Sequence, residues 1–201
     1  MRVLVTAGPT REYLDAVRFI SNASSGKMGF ACAEAAARAG HDVVLVTGPV
    51  TLPDPKGVRT VRVVGADDMY RAVMKAYPRI DAAIMTAAVG DYRPAERFAG
   101  KLKKKSETLT LRLVRTRDIL KEMGRKKGKR ILIGFALEVQ DAVHQALVKY
   151  KKKNLDYVVL NTPRTFAADR MDCRVYREGG VVKRFKGATK ESVARWIVGV
   201  L

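Results

Sequence analysis

The sequence contains few of the residues that build disulfide bridges and transition-metal sites. Its 201 residues include two cysteines, Cys32 and Cys173, and two histidines, His41 and His144. The cysteines form no C-x-x-C pair, and the histidines lack the close spacing of paired zinc ligands. These absences argue against a disulfide-stapled secreted domain and against a structural zinc site. Binding of Mg²⁺ that arrives with a substrate stays an open alternative.

Long hydrophobic segments are also missing. No uninterrupted apolar stretch approaches the ~20 residues needed to cross a bilayer. Residues 1–5 run directly into a strand-like pattern, without the basic start, apolar centre and cleavage site of a secretory signal. A chain of 201 residues is long enough for one substantial core and short for two. We therefore expect a single domain over residues 1–201, located in the cytoplasm.

Acidic residues are heavily outnumbered. Lys and Arg total 39 against 20 Asp and Glu, which gives a net charge of +19. This charge favours anionic partners such as nucleotides, phosphorylated metabolites, nucleic acid or anionic lipid. Aromatic residues make up 7% of the chain and are not interleaved with the basic clusters, which argues against base stacking on single strands. A basic nucleic-acid-binding module remains as the alternative to an enzyme.

Short apolar runs recur along the chain in the manner of buried parallel strands. They occupy residues 3–5, 43–46, 82–85, 131–133 and 158–160. Apolar residues with helical spacing follow, starting at Met28, Met69, Ala142 and Val193. Because parallel strands need crossovers that are usually helical, the pattern predicts an α/β fold, a Rossmann-like, doubly wound and mostly parallel sheet with helices on both faces. Ligands of such folds bind beyond the carboxyl ends of the strands.

Two segments depart from this pattern and predict a small antiparallel extension. Residues 108–113 alternate strictly between polar and apolar, as in a half-buried antiparallel strand. Residues 174–183 contain Gly179 and Gly180 between two strand-like runs, which predicts a hairpin. Prolines at 49, 53 and 55 predict a loop after the second strand.

The segment after the first strand is the most informative. Ser24 or Ser25 is placed to cap the following helix, and Gly26 and Gly29 permit close backbone approach. Free N–H groups and the helix dipole at this start predict a phosphate cradle, with a purely structural turn as the alternative. Neither a Walker A loop nor G-x-G-x-x-G is present, since Met28 follows Lys27 where Ser or Thr is required.

A NAD(P)-dependent short-chain-type oxidoreductase is a second enzyme alternative. Residues 3–6 resemble the first strand of that family. None of the seven tyrosines, however, has a lysine four residues later, as the catalytic pair of that family requires. This absence argues against hydride transfer.

Further candidates follow later strands. Asp91 is placed to accept a hydroxyl hydrogen bond, to orient a metal, or to cap a turn. Lys101, in a basic run, is placed to stabilise negative charge during phosphoryl or nucleotidyl transfer, or is simply solvated. Residues 116–119 predict a helix start that either receives phosphates or is an ordinary cap. Lys149 and Lys153 share a helix face that suits phosphate or solvent.

Taken in order, these segments resemble the phosphopantothenate–cysteine ligase family, the synthetase domain of bifunctional coenzyme A biosynthesis proteins. The resemblance covers nearly the whole chain and is most specific at residues 6–12, 18–29, 87–94, 101–104, 153–156 and 161. It implies that CTP in bacterial-type members, or ATP in eukaryotic ones, activates the carboxylate of 4′-phosphopantothenate as an acyl-nucleotide, with release of pyrophosphate. The amine of L-cysteine then attacks, and CMP or AMP leaves.

The resemblance also implies roles for residues. Asn22 would contact the carboxylate or acyl intermediate, and Lys101 would neutralise the nucleotide phosphates during transfer. Mg²⁺ is expected with the nucleotide, and the resemblance does not specify its ligands. The implied nucleotide-binding positions are Gly8, Ser24, Ser25, Gly26, Gly29, Ala87, Asp91, Asp118, Ile119, Leu120, Lys121, Phe135, Lys149 and Lys153.

Departures from the family pattern leave CTP and ATP both open. Where this chain has Thr116 and Arg117, the family commonly has Asn-Pro. Gly90 replaces a usual alanine, and residues 137–139 replace the common Ala-Glu-Thr. Family members are homodimers, and residues 101–105 and 108–113 are the expected contact. Many bacterial members carry a flavin-dependent phosphopantothenoylcysteine decarboxylase ahead of this domain. Nothing precedes the first strand here, so either a stand-alone synthetase or an excised domain is expected.

Overall fold

The computed structural model describes residues 1–104, 107–161 and 170–201. Strands and helices alternate through most of this range. In chain order the elements are β1 (Arg2–Ala7), β2 (Arg11–Tyr13), β3 (Phe19–Ser21), α1 (Lys27–Arg38), β4 (Asp42–Thr47), β5 (Val58–Arg62), α2 (Ala66–Ala76), a 3₁₀ turn (Tyr77–Arg79), β6 (Ala82–Met85), β7 (Tyr92–Pro94), β8 (Leu113–Arg115), α3 (Ile119–Arg125), β9 (Ile131–Leu137), α4 (Ala142–Lys152), β10 (Tyr157–Asn161), β11 (Arg170–Arg177), β12 (Gly180–Thr189) and α5 (Lys190–Val198).

The main sheet confirms the predicted fold class. Its eight strands follow the order β12-β11-β10-β9-β6-β1-β4-β5. The neighbours from β10 to β5 pair in parallel, whereas β11 and β12 add an antiparallel hairpin at one edge. The glycine turn at residues 179–180 thus forms a hairpin as predicted, and the hairpin belongs to the main sheet. Two small antiparallel pairs, β2–β3 and β7–β8, lie outside it.

Helices cover both faces of this sheet, which explains why the central strands are apolar throughout. On one face, Phe30 of α1 and Val193 of α5 pack with the odd-numbered residues of β1. On the other face, Met69 of α2, Met123 of α3 and Ala146 of α4 form a second layer. Burial on both faces removes the polar alternation that a one-sided sheet would show. Within the described residues, no helix combines the length and apolarity needed to span a bilayer.

The start of α1 differs from the prediction. Neither Ser24 nor Ser25 caps the helix with its side chain; Gly26 occupies the N-cap position at φ 78°. The Ser24 hydroxyl instead accepts a hydrogen bond from the Gly26 N–H at 3.4 Å. Because glycine occupies the N-cap position, the residue that would normally supply the capping side chain has none. Glycine adopts this left-handed conformation without the steric penalty of a Cβ atom.

The predicted strand at 108–113 is wrong for most of its length. Strand pairing begins at Leu113, which lies opposite Pro94 in the β7–β8 ladder. Residues 107–112 form no strand and are mostly exposed. Alternating polarity shows that a segment suits a strand, but a strand also needs a neighbour for its backbone groups. β7, three residues long, offers that neighbour only to β8.

Three strand regions are not predicted by the sequence pattern: β5, the β2–β3 hairpin and the three-residue β7. β5 is an edge strand whose two arginines are exposed, so its apolar pattern is weak. The β2–β3 hairpin lies inside the long loop predicted before α1, and its second strand is exposed along its length. Short or exposed strands leave little hydrophobic periodicity to detect.

Candidate active site

The loops after β1 and β6 are joined by a hydrogen-bond network at the carboxyl edge of the sheet. Ala88 N–H donates to the Gly8 carbonyl at 2.9 Å, and Gly90 N–H donates to the Thr10 hydroxyl at 2.9 Å. The Asn22 side-chain amide donates to the Ala88 carbonyl at 3.0 Å. These bonds hold three separate segments of chain in fixed positions around an open cleft.

The cleft has two compartments. The first has a volume of about 470 Å³ and begins at the amino end of α1. The second, of about 370 Å³, extends towards the start of α3. Both are lined by a shared wall that consists of Ala87, Val89, Asp91, Phe135 and Lys149. Two ligands that occupy the two compartments therefore meet at this wall.

The amino end of α1 forms a cationic side of the first compartment. Ser24, Ser25, Gly26 and Lys27 all line it, and no acidic residue lies in the first helical turn. The first N–H groups of a helix have no acceptor within the helix and carry its positive dipole end. This arrangement supports the predicted anion site, although Gly26 rather than a serine shapes it.

Close packing holds this turn in place. A Cβ atom added to Gly26 would lie 2.9 Å from Val50 Cγ1 and 3.4 Å from the Cα atom of Gly8. Gly8 itself has φ 71°. The two glycines therefore pack face to face, and Gly8 supports the turn from behind without lining the compartments.

Two lysines of α4 differ in their partners. Lys149 Nζ donates a hydrogen bond to the Phe135 carbonyl, and burial, followed by repulsion from Lys153, lowers the pKa of Lys149. Lys153 pairs with the Asp118 carboxylate at 3.0 Å. Asp118 also accepts the Lys121 N–H at 3.0 Å and so caps α3. Lys149 is consequently the cation in the shared wall that an anionic ligand would stabilise most.

Most of the candidate positions lie together in this cleft. The lining residues among them are Asn22, Ser24, Ser25, Gly26, Gly29, Ala87, Asp91, Asp118, Ile119, Leu120, Phe135, Lys149 and Lys153. Lys121 is exposed on α3 and does not line either compartment. Its backbone N–H is occupied by the cap formed by Asp118, so the ordinary capping alternative holds for that group.

Lys101 is the candidate catalytic residue that, like Gly8 and Lys121, is not among the described residues that line the compartments. It is exposed. Its segment is fixed to the turn between β2 and β3, because Leu102 N–H donates to the buried Asp15 carboxylate at 3.0 Å. Ala16 N–H donates to the Gly100 carbonyl at 3.0 Å. Lys105 lies outside the described residues.

Several lining residues, Arg115 and Lys190 among them, were not identified from the sequence, whereas Thr116 and Arg117 belong to the predicted helix start at residues 116–119. Arg115 and Arg117 line the second compartment, and the Arg117 guanidinium stacks 4.6 Å from the centre of the Tyr70 ring. Thr116 donates its hydroxyl hydrogen to the Gly90 carbonyl at 2.6 Å. Lys190, buried at the start of α5, lines the first compartment. The sequence alone does not distinguish a charged residue that lines a cleft from a charged residue that is exposed to solvent.

The carboxylates of the cleft do not form a metal cage. Among the described residues, no group of three or more His, Cys, Asp or Glu side chains lies close enough to hold an ion. Asp91 is a carboxylate of the shared wall, whereas Asp118 is already paired with Lys153.

Comparisons with known proteins agree with this geometry. Coenzyme A biosynthesis bifunctional protein CoaBC of Bacillus subtilis is 47% identical over 183 residues, which cover 89% of this chain and 45% of that protein. The corresponding protein of Haemophilus influenzae is 40% identical over 184 residues, 90% of this chain and 46% of that protein. The chain thus spans about half the length of the curated relatives it matches.

Solved structures show the same fold. The C-terminal domain of a CoaBC protein matches with a TM-score of 0.85 at 42% identity, over 99% of this chain and 92% of that one. A DNA/pantothenate metabolism flavoprotein from Streptococcus pneumoniae matches with a TM-score of 0.88 at 23% identity, over 100% and 97% of the two chains, and shares the fold. A family model described as the DNA/pantothenate metabolism flavoprotein C-terminal domain matches residues 1–201. The chain therefore belongs to the family of DNA/pantothenate metabolism flavoprotein C-terminal domains.

Proposed function

We propose that this protein is a phosphopantothenate–cysteine ligase of coenzyme A biosynthesis. The observation that carries the proposal is the shared wall, where Asp91, Phe135 and Lys149 line both compartments. A ligase of this kind must bring a nucleotide and a phosphorylated acid together with their reacting groups in contact. Membership of a family that includes coenzyme A biosynthesis proteins supports the same conclusion.

In the proposed reaction, a carboxylate oxygen of 4′-phosphopantothenate attacks the α-phosphorus of the nucleotide. The bond from that phosphorus to the bridging oxygen breaks, and pyrophosphate leaves. The amine of L-cysteine then attacks the acyl carbon and loses a proton, the acyl–oxygen bond breaks, and the nucleoside monophosphate leaves. Activation is required because a carboxylate is a poor electrophile with a poor leaving group.

The proposed roles of the side chains follow from charge. The triphosphate lies along the shared wall, between the amino end of α1 and Lys149, so that both stabilise its negative charge. Asn22 is fixed by its bond to Ala88 and donates its remaining amide hydrogen to the acid or acyl oxygen. Asp91 and Phe135 hold the nucleotide, and Lys101 neutralises the phosphates bound in the cleft of a second copy of the chain.

CTP is the proposed nucleotide, with ATP as the alternative. We propose that Mg²⁺ arrives with the triphosphate, because the cleft offers isolated carboxylates such as Asp91 instead of a closed ligand set. When bound, Mg²⁺ would supply positive charge that offsets the charge of the phosphates, and Asp91 of the shared wall is the carboxylate placed to orient it.

A direct assay tests the proposal. The protein is incubated with 4′-phosphopantothenate, L-cysteine, Mg²⁺ and either CTP or ATP, and pyrophosphate and the matching monophosphate are measured. We expect stoichiometric release of both with one nucleotide. No turnover with either nucleotide would refute the ligase. Salt-sensitive, sequence-tolerant DNA binding without turnover would instead support the nucleic-acid alternative.

Two variants test the assigned catalytic residues. Lys101→Gln should slow pyrophosphate release, because a cation that offsets phosphate charge is lost. Asn22→Asp should impair handling of the acyl intermediate, because a negative charge replaces a donor beside it. The two steps are separated by measuring pyrophosphate release with and without cysteine. Wild-type rates in both variants would show that the assigned roles are wrong.

We also propose a homodimer located in the cytoplasm. Apolar side chains that are about two-fifths exposed lie on β3, β7 and the segments beside them; they include Phe19, Tyr92, Phe98 and Leu113. Burying this surface against a second copy would remove it from water. A phosphopantothenoylcysteine decarboxylase, either fused or separate, is the proposed partner, because the matched relatives are bifunctional proteins of about twice this length.

A further inference from the structure

A third cleft lies outside the reaction cleft, where the sheet extends beyond the cover of α4. It has a volume of about 460 Å³ and lies between the amino end of α4, the end of β10 and the β11–β12 hairpin. Its lining includes Val143, Leu160, Asp172, Arg174, Arg184 and Lys186. Three cations and one carboxylate among these residues make the cleft strongly positive.

Two arginines of the lining lie opposite each other on neighbouring strands, an arrangement that destabilises the folded protein. Arg174 of β11 lies directly opposite Arg184 of β12 in the antiparallel ladder, and both are exposed. Like charges directly opposite each other on neighbouring strands are destabilising. In the part of the chain that the structure describes, no carboxylate pairs with either guanidinium. The Asp172 carboxylate in the lining accepts the Gly187 N–H instead.

The opposite side of the cleft is apolar. Val143 lies in the first turn of α4 and is 38% exposed, and Leu160 lies at the end of β10. A free inorganic anion would leave the exposed part of Val143 in water, whereas Leu160 is already largely buried and forms an apolar floor of the cleft. An anion with an aliphatic portion would cover Val143 while its charged group relieves the repulsion between the guanidinium groups.

We propose that this cleft binds a small organic anion, with a phosphate or carboxylate group between Arg174 and Arg184 and a short aliphatic chain against Val143 and Leu160. The site is separate from the shared wall of the reaction cleft. Asn161 lines both this cleft and the first compartment, so the two sites are neighbours. The proposal does not depend on the ligase assignment.

Thermal unfolding and calorimetric titration of the full chain with hexyl phosphate test the site. Inorganic phosphate and hexanol, which carry only the anionic or only the aliphatic part of the probe, are measured for comparison. We expect hexyl phosphate to raise Tm more than inorganic phosphate or hexanol does. The double variant Arg174→Gln with Arg184→Gln should bind hexyl phosphate about tenfold more weakly or worse. Without ligand the same variant should have a higher Tm than the wild type, because the repulsion is removed.

The double variant Arg59→Gln with Arg195→Gln is the matched control. It removes the same charge from exposed positions on β5 and α5, so it should retain the wild-type response to hexyl phosphate. Equal loss of binding in both double variants would show a general charge effect and overturn the proposal. A response abolished by Lys149→Gln but kept without the two arginines would place the probe in the reaction cleft and also overturn it.

A second copy of the chain is the competing occupant. Light scattering after size exclusion measures the mass of the wild type and of the Arg174→Gln, Arg184→Gln variant. An unchanged mass is expected for a small-ligand site. A change in oligomeric state in the variant would show that the cleft is a contact between copies, and the proposal would be wrong.

Discussion

At the scale of single residues, Lys149 combines burial with a charge that lacks a full counter-charge. Its ammonium group donates to the Phe135 carbonyl, and burial and the neighbouring Lys153 both lower its pKa. A carbonyl dipole stabilises a buried cation less than a carboxylate or phosphate does. The position is therefore more favourable when an anion is bound than when it is absent.

Lys149→Gln should raise the KM for the nucleotide and lower kcat/KM by about 10- to 150-fold, the equivalent of one charge-assisted hydrogen bond of about 1.5–3 kcal/mol. Steady-state kinetics with varied nucleotide measure the change. Lys152→Gln is the control, because Lys152 is exposed on the same helix and does not line the described compartments. Equal losses in both variants would contradict the assigned role.

The pH dependence of activity provides an independent test of the same lysine. A lysine is cationic below its pKa, so a lowered pKa ends the charged range at a lower pH than usual. We expect Lys149→Arg to move the alkaline limb of kcat/KM to higher pH, because arginine remains charged. An alkaline limb that is identical in the two proteins would exclude Lys149 as its source.

Asp15 is the residue whose ionisation bears most directly on stability. Its buried carboxylate accepts backbone N–H groups of Val17, Arg18 and Leu102 and pairs with the Arg18 guanidinium. The Arg18 backbone bond is the largest of the effects that hold the pKa of Asp15 well below its usual range, and burial acts in the opposite direction. Asp15 thus joins the β2–β3 turn to the segment that carries Lys101.

Asp15→Asn should lower Tm at neutral pH. Because the pKa is depressed in the folded protein, the charge stabilises the fold above the ordinary aspartate pKa of about 3.9, and this contribution is lost as the pH falls through the folded value. The Tm difference from the wild type should therefore shrink below about pH 4. Asp54→Asn, at an exposed ion pair, should have little effect. A constant difference down to pH 2.5 would contradict this account.

At the scale of elements, the contact between α1 and β1 determines the position of the turn proposed to bind anions. Gly29 lies where the helix meets the strand, and an added Cβ atom would lie 2.5 Å from Ala7 Cβ and 2.6 Å from Thr86 Oγ1. The Thr86 hydroxyl donates to the Thr6 carbonyl at 2.7 Å, so this neighbour is itself held in place. The helix can approach this closely only with glycine at this position.

Gly29→Ala should destabilise the protein by about 1–2 kcal/mol. Overpacking costs about 1–3 kcal/mol, and contacts of 2.5 and 2.6 Å indicate the upper half of that range; the ~1 kcal/mol that alanine gains over glycine in a helix offsets part of this cost. Urea denaturation measures the change. Arg38→Ala, on the exposed side of α1, is the control. Loss of its ion pair to Glu34 should lower the free energy of unfolding by about 0.3–0.5 kcal/mol. Gly29→Ala with equal or higher stability than the wild type would show that the contact is not tight.

At the scale of the whole molecule, a charge of +19 attracts anionic substrates from a distance, and the position of Lys101 raises the question of a second copy. Lys101 is exposed and apart from the described cleft lining of its own chain. In the proposed dimer, the Lys101 segment of one copy would serve the cleft of the other.

Mixing two inactive variants tests this arrangement. In a mixed dimer of Lys101→Gln and Asn22→Asp chains, one cleft combines the intact Asn22 of one copy with the intact Lys101 of the other. After subunit exchange at equal amounts, about one quarter of all clefts should be active. If Lys101 serves the cleft of its own chain, no activity returns. Wild-type chains mixed with each variant control for exchange.

Local sequence determined the secondary structure wherever a segment had its own strong periodicity. The five buried strands, α1, α2, α4 and α5 lie where apolar spacing predicted them, because burial on a sheet face selects those spacings directly. The glycine and serine pattern before α1 correctly predicted a helix start with glycine in it, whereas its anion binding stays a prediction. The prediction of a strand at 108–113 was wrong for most of its length, because alternating polarity does not show whether a neighbouring strand is present to pair with it.

The tertiary structure decided what depends on neighbours distant in sequence. It created the shared wall from Asp91, Phe135 and Lys149, placed Arg115 and Arg117 in the second compartment, and kept Lys101 apart from the lining. It also lowered the pKa of Lys149 and set Arg174 opposite Arg184. Burial, pairing register and the distance between charges arise only when separate segments pack together, so no local pattern could have encoded them.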